Sequence, residues 1–418
     1  MTTLEQTAAI VFVALVLPQA LLTILFAWIV NHRTRGFVAR NASRQASASI
    51  PAEVLLCLRG CDETLPDVLA SLAQQSHQSW RLRIIVDSEK DPAWDAAHSS
   101  ISKLNAHATW TEACIEPLTA RPEQGSLKCA SLRQALRSLD ETTDVVALID
   151  ADSVVHPDWL LTMVNECMQP DIGAVSGNRW YDPDQDTPAA IVRALWNAGA
   201  IVQMTTFGIP WGGSLAIRRK AMADCHWDDV IATTFCEDTS LAQPLARAGW
   251  KYRYIPSLTA IDRDASIRLA PLTRWIARQL LTVRLHHPSW PLVAVHGVST
   301  SLALVVVIAG SIAALASGHH RIAIILGLFF LAYELINMAL LALITYSIRQ
   351  AIQTRATQPR PRTPLQILGW IASIPVTQVV YAFAVVICMC AKTIEWRGVV
   401  YEIRRHHSST SVQILSEA

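Results

Sequence analysis

At 418 residues the chain is too long for one small domain and long enough for a catalytic unit plus a second part. Hydrophobic residues make up 51% of it and the mean hydropathy is +0.28, high for a soluble enzyme. The net charge of +1 carries no global basic signature and argues against nucleic acid as a partner.

The apolar excess is concentrated in blocks. Ala8 to Val30 is as long as one bilayer span and holds no charge. It is too long for a typical signal-peptide core and lacks a basic segment before it, so it reads as a retained anchor. Arg33, Arg35, Arg40 and Arg44 follow it, while Glu5 is the one charge before it. The positive-inside rule then places the chain after Val30 in the cytoplasm. Residues 1–49 are expected to form this anchor and a linker, with 40–50 a short polar stretch.

Residues 50–290 alternate short apolar runs with amphipathic stretches, the pattern of an α/β sheet. Val54 to Leu58 and Leu82 to Val86 read as strands, the second ending in Asp87. Leu65 to Gln74 and Leu127 to Leu139 have helical spacing. Val145 to Ile149 is a fully apolar run, expected of a parallel strand covered on both faces. It leads directly into Asp150-Ala151-Asp152. Turns favour Asp after a strand on local grounds. Ligands of such sheets nevertheless collect beyond the carboxyl ends of the strands, where these acids emerge. Paired hard oxygens there suit Mg²⁺ or Mn²⁺ shared with a phosphate, and a diphosphate leaving group needs that neutralisation. Ile172 to Ser176 is a further strand. Glycines in Trp211-Gly212-Gly213-Ser214 let backbone approach a bulky donor closely, which makes Gly213 a donor-site candidate. Glu237 and Asp238 are expected to open a helix that ends near Gly249, a place that acids also favour for capping.

Three more apolar blocks follow: Pro291 to Ala316, Ile322 to Tyr346, and Pro364 to Ala391 with Pro375 inside. The first two return the chain to the basic residues Arg349, Arg355, Arg360 and Arg362. If the last block crosses, the tail with Lys392, Arg397, Arg404 and Arg405 lies outside; a re-entrant or interfacial segment keeps it inside, and the charges favour the second. Residues 291–418 are thus expected to be transmembrane or interfacial helices with a basic tail. Residues 353–364 look like a Pro/Arg-rich loop. Trp28, Trp290, Trp370 and Trp396 are expected to anchor at headgroups, and His286, His287 and His296 to pack or lie at the interface. The nine cysteines show no metal spacing and are expected to be reduced.

The ordered set of Asp87, Asp150-Ala151-Asp152, Gly212-Gly213-Ser214 and Glu237-Asp238 resembles the family 2 glycosyltransferases, over roughly residues 50–290 with further likeness in the membrane tail. Within them the chain is most similar to ceramide glucosyltransferase-like and hopanoid glycosyltransferase-like membrane enzymes. The resemblance implies an α/β GT-A (Rossmann-like) domain plus transmembrane helices. It implies that Asp87 contacts the nucleotide base and that Lys128 lies near the nucleotide. Asp150 and Asp152 would serve the metal and diphosphate, Asp152 as the direct ligand. Asp238, with Glu237 beside it, would be the catalytic base. Ile394 to Tyr401 is similar to the Trp-Arg-Gly-x-x-Tyr tail of these lipid enzymes.

One motif departs from the pattern. Where the family has Gln/Arg-x-x-Arg-Trp, this chain has Arg274-Trp275-Ile276-Ala277-Arg278-Gln279. Arg278 takes the Arg position and Gln279 replaces the Trp, with Trp275 and Arg284 on the same candidate helix. These four residues are expected near the phosphates or the acceptor. The resulting expectation is an inverting transfer of a hexose or N-acetylhexosamine from a UDP-sugar to a membrane lipid, in a bacterial inner membrane. A processive polysaccharide synthase and an inactive membrane scaffold are the rivals, and the altered motif argues against a polymer.

Overall fold

A computed structural model describes residues 3–40, 49–355, 357–405 and 410–417. Arg44 and most of the expected linker at 40–50 lie outside the described residues. The N-terminal apolar block is one helix, α1 (Thr3–Arg40). Strand and helix then alternate as β1 (Ala52–Leu58), α2 (Leu65–Ala73), β2 (Trp80–Val86), α3 (Pro92–Leu104), β3 (Glu112–Pro117), α4 (Leu127–Arg137), β4 (Val145–Ile149), α5 (Trp159–Cys167) and β5 (Ile172–Ser176). There follow β6 (Arg179–Tyr181), the long α6 (Pro188–Phe207), β7 (Ser214–Arg218), and the short α7 (Arg219–Asp224), α8 (Trp227–Ile231) and α9 (Ala242–Arg247). β8 (Lys251–Tyr254), β9 (Ala260–Asp262) and α10 (Leu269–His286) complete this block.

Seven of these strands form one sheet in the order β3-β2-β1-β4-β7-β5-β8. Alternation of side chains along a strand divides the core in two. On β4, Val145, Ala147 and Ile149 pack with Leu65 and Leu69 of α2 and with Trp159 and Met163 of α5. Val146 and Leu148 face the other layer, with Cys129 and Leu132 of α4 and Trp227 of α8. Each such fully buried Leu contributes about 1.5–3 kcal/mol. The sheet is mixed: β7 runs antiparallel to both neighbours, β4 and β5. One expectation needs correction: Glu237 and Asp238 lie in a turn, and α9 begins only at Ala242.

The C-terminal part holds α11 (Trp290–Ala316), α12 (His320–Ala351) and α13 (Pro364–Cys390), then a small antiparallel sheet of β10 (Thr393–Trp396), β11 (Val399–Arg405) and β12 (Thr410–Glu417). Together with α1, these are four helices long and apolar enough to cross a membrane. Three of them meet the α/β block at one end only. Phe26 and Val30 near the end of α1, and Ile344 and Ile348 near the end of α12, pack around Tyr254. Val293 at the start of α11 packs against α10. The turn between α11 and α12 is distal.

α13 is different. Before it, Arg360 donates its backbone N–H to Asp182 at 2.8 Å and Arg362 pairs with the same carboxylate at 2.8 Å. After it, Arg397 pairs with Asp62 at 2.6 Å, and Gly125 N–H donates to Val412 O at 2.7 Å. Both flanks of this 27-residue helix are therefore bonded to the same α/β block. Its inner face (Ile374, Tyr381, Ala384, Val385) is buried, and Leu365, Leu368, Phe383 and Val386 point outward.

Candidate active site

The sheet's register builds the site. β1 pairs in parallel with β2 on one side and β4 on the other, with Leu58 opposite Val86 and Leu56 opposite Ile149. Asp87 and Asp150 thus emerge on one edge, flanking Arg59 at the end of β1. Because β7 is antiparallel, it starts there: Ser214 lies opposite Ile149, so Gly212 and Gly213 fall beside the acids.

Lys128, in the first turn of α4, connects the acids. Its ammonium is 2.7 Å from Asp150 Oδ1 and 2.6 Å from Glu237 Oε1. Burial works against this charge, but Asp150 and Glu237 hold Lys128 protonated. Burial pushes the Glu237 carboxyl up, opposed by Lys128. Asp238 accepts hydrogen bonds from Gly212 N–H at 2.7 Å and from the Cys236 thiol at 2.7 Å, which fix its direction. The glycines are there for space: a Cβ on Gly212 would lie 2.2 Å from Glu237 Oε1, and one on Gly213 would lie 2.7 Å from Asp150 Oδ2.

Asp152 is gripped by Arg179 of β6. The guanidinium donates to both carboxylate oxygens, at 2.5 and 2.8 Å, and reaches Ser153 Oγ at 2.9 Å and Asp262 at 3.3 Å. Burial opposes the Asp152 charge, yet Arg179 outweighs it and holds the carboxyl down at about 2. The same Nη2 is 4.0 Å from Asp150, so the two acids converge on one cationic group. Among the described residues no group of three or more His, Cys, Asp or Glu side chains comes together as a metal cage; two carboxylates at a strand end fit Mg²⁺ or Mn²⁺ only as an ion shared with a diphosphate. Asp87 is paired with Arg59 and Arg121, and Glu417 of β12 bridges those two arginines at 3.3 Å each.

One cavity of about 460 Å³ joins this edge to the apolar helices. Its lining includes Asp87, Lys128, Asp150, Asp152, Gly212, Glu237 and Asp238, then Trp275, Arg278 and Gln279 of α10, and beyond them Leu22 of α1, Asn337 and Ile344 of α12, and Gln378 of α13. Arg278 lies over the Trp396 ring at 5.8 Å, and Trp275 packs edge-on against Tyr181 and Trp196.

Two predicted site residues stand apart from this group. Arg284 donates to the carbonyls of Cys388 and Ala391, tying α10 to the end of α13. Gly213 packs behind Asp150 against Trp211 rather than lining the cavity. Two tryptophans expected at headgroups also belong elsewhere: Trp370 is buried with Arg362 3.8 Å from its ring, and Trp396 lines the cavity. Sequence reasoning missed Arg179, Arg59, Arg121 and Glu417. Arg179 stands one residue after Asn178 in a three-residue strand with no apolar periodicity to mark it.

A donor-sized cavity at the carboxyl edge of a mixed α/β sheet, lined by acids and continuous with apolar helices, is the form expected of a membrane-associated glycosyltransferase. The chain belongs to glycosyl transferase family 21, whose model matches residues 15–409. No curated protein matches it. Among solved structures it is similar to the mannosyltransferase PcManGT from Pyrobaculum calidifontis in complex with GDP-Man and Mn²⁺, at 14% identity and TM-score 0.48, over 92% of this chain and 99% of that one. It is also similar to glucosyl-3-phosphoglycerate synthase from Mycobacterium tuberculosis in complex with Mn²⁺ and UDP-Glc, at 16% identity and TM-score 0.37, over 57% and 80% of the two chains.

Proposed function

We propose that this glycosyltransferase moves a hexose or N-acetylhexosamine from a UDP-sugar to the hydroxyl of a membrane lipid, with inversion and with a divalent metal. The observation that carries the reading is the single cavity running from Asp238 and Asp152 to Ile344 and Gln378 among the apolar helices. A water-soluble acceptor would have no use for that apolar half, whereas a lipid needs it to bring its hydroxyl to the carboxylates.

In this reading Asp87 and the neighbouring backbone hold the uracil. Asp152, supported by Asp150, would hold Mg²⁺ or Mn²⁺, which when bound supplies positive charge to the departing diphosphate. Lys128 and Arg278 add charge of the same sign from the protein. Asp238 accepts the proton of the acceptor hydroxyl as its oxygen bonds to the anomeric carbon and the bond from that carbon to the diphosphate breaks. Glu237, paired with Lys128, positions that ammonium rather than taking the proton. An α-linked donor then yields a β-glycoside.

The helices fit three spans and one interfacial helix. A helix of the length of α13, about 40 Å, cannot traverse a bilayer while both its flanks are bonded to one domain on one side. Its outward apolar face, with Leu365, Leu368 and Phe383, suits the membrane interface. The α/β block and the basic tail then share the cytoplasmic face, in agreement with the arginines after α1.

The product tests the function. Labelled UDP-glucose or UDP-N-acetylglucosamine supplied with lipid extract should give a lipid bearing one sugar. A ladder of longer chains would instead favour the processive synthase, and label that never enters lipid would sink the acceptor assignment.

A further inference from the structure

Arg179 occupies the position where its charge matters most. Its fork grips both oxygens of Asp152 at 2.5 and 2.8 Å, and its side chain is 13% exposed. A divalent cation on Asp152 must use those same oxygens. Lys128 already neutralises Asp150 at 2.7 Å, so each of the two acids has a cation of its own. Besides Asp152 the guanidinium has Asp262 at 3.3 Å and, further off, Asp150 at 4.0 Å, and it lies 5.2 Å over the Trp211 ring. Asn197 pins the Arg179 carbonyl at 2.7 Å, so the side chain can turn from Asp152 towards Asp262 while its backbone stays fixed.

We propose that Arg179 competes with the divalent metal for Asp152, so that metal and nucleotide diphosphate bind as a pair, the diphosphate accepting the guanidinium that the metal displaces. The proposal rests on the metal-dependent reading above. Metal alone would strip a buried guanidinium of its best partner, a costly change. A diphosphate presents planar-fork acceptors to the freed arginine, which makes the two bindings mutually favourable. Coupling of this kind is reciprocal: the factor by which UDP tightens metal binding equals the factor by which metal tightens UDP binding.

The test is Mn²⁺ binding followed by electron paramagnetic resonance on purified full-length protein, with and without UDP, for wild type, Arg179→Gln and Arg179→Lys. Wild type should bind Mn²⁺ about tenfold or more tightly with UDP than without, and Arg179→Gln should bind Mn²⁺ alone by a similar factor more tightly than wild type. Arg179→Lys, which keeps the charge but not the fork, should fall between them, and it carries the comparison if Arg179→Gln fails to fold. An unchanged or weaker affinity of the Gln and Lys variants for Mn²⁺ alone, with UDP still drawing Mn²⁺ in, overturns the competition and leaves the metal reading standing. Absence of Mn²⁺ binding in every protein with or without UDP overturns the metal reading, and the competition falls with it.

Discussion

Lys128 and Glu237 form a buried ion pair: the ammonium lies 2.6 Å from Glu237 Oε1, and Glu237 is 1% exposed. Breaking one side leaves the other charge buried without its partner, at about 3–5 kcal/mol. Lys128→Met should therefore lower stability in a denaturant titration by that order. Lys128→Met with Glu237→Leu should recover a large part of it, because the stranded carboxylate is gone. Equal destabilisation in the single and double variants would contradict the pairing.

Gly212 is packed against the neighbouring acids Glu237 and Asp238. A Cβ there would stand 2.2 Å from Glu237 Oε1 and 3.1 Å from Asp238 Oδ2. Gly212→Ala should displace Asp238 and lower kcat on the order of 10²-fold, with a much smaller change in melting temperature. Wild-type turnover in this variant would show that Asp238 does not need its present position.

The elements with strong pattern were legible in the sequence. β1, β2, β4 and β5 announced themselves as apolar runs, and the acids that follow them fall on one edge because the sheet is parallel there. Long-range pairing was not legible. Nothing local says that β7 inserts antiparallel between β4 and β5, the arrangement that brings Gly212 to Asp238. Nor does any motif mark Arg179 or Glu417, which reach the acids from a short strand and from the far end of the chain. Arg284 was misplaced because a basic residue on α10 looks the same whether it faces the cavity or caps α13.

His286 accepts a hydrogen bond from Phe235 N–H at 3.3 Å, and burial holds its imidazole down at about 4. The unfolded chain takes up this proton at its ordinary value of about 6.5. Stability from this residue is thus present above that value and lost as pH falls towards and through 4. Melting temperatures of wild type should decline over that interval, and those of His286→Gln should decline less. Parallel curves would exclude His286 as the source.

Cys61 and Cys390 are both exposed, the first on the α/β block and the second at the end of α13. Single-cysteine variants retaining each one should react with a membrane-impermeant maleimide from the same side of sealed vesicles. Labelling from opposite sides would mean that α13 crosses the bilayer.

The central claim is that Asp152 and Asp238 serve sugar transfer to a lipid. Its most direct test is UDP release by purified protein from UDP-glucose and UDP-N-acetylglucosamine, with and without lipid extract and Mn²⁺, beside Asp152→Ala and Asp238→Ala. The account predicts release that requires metal, rises with lipid, and falls by about 10²-fold or more in each variant. Release that is unchanged in both variants would contradict it.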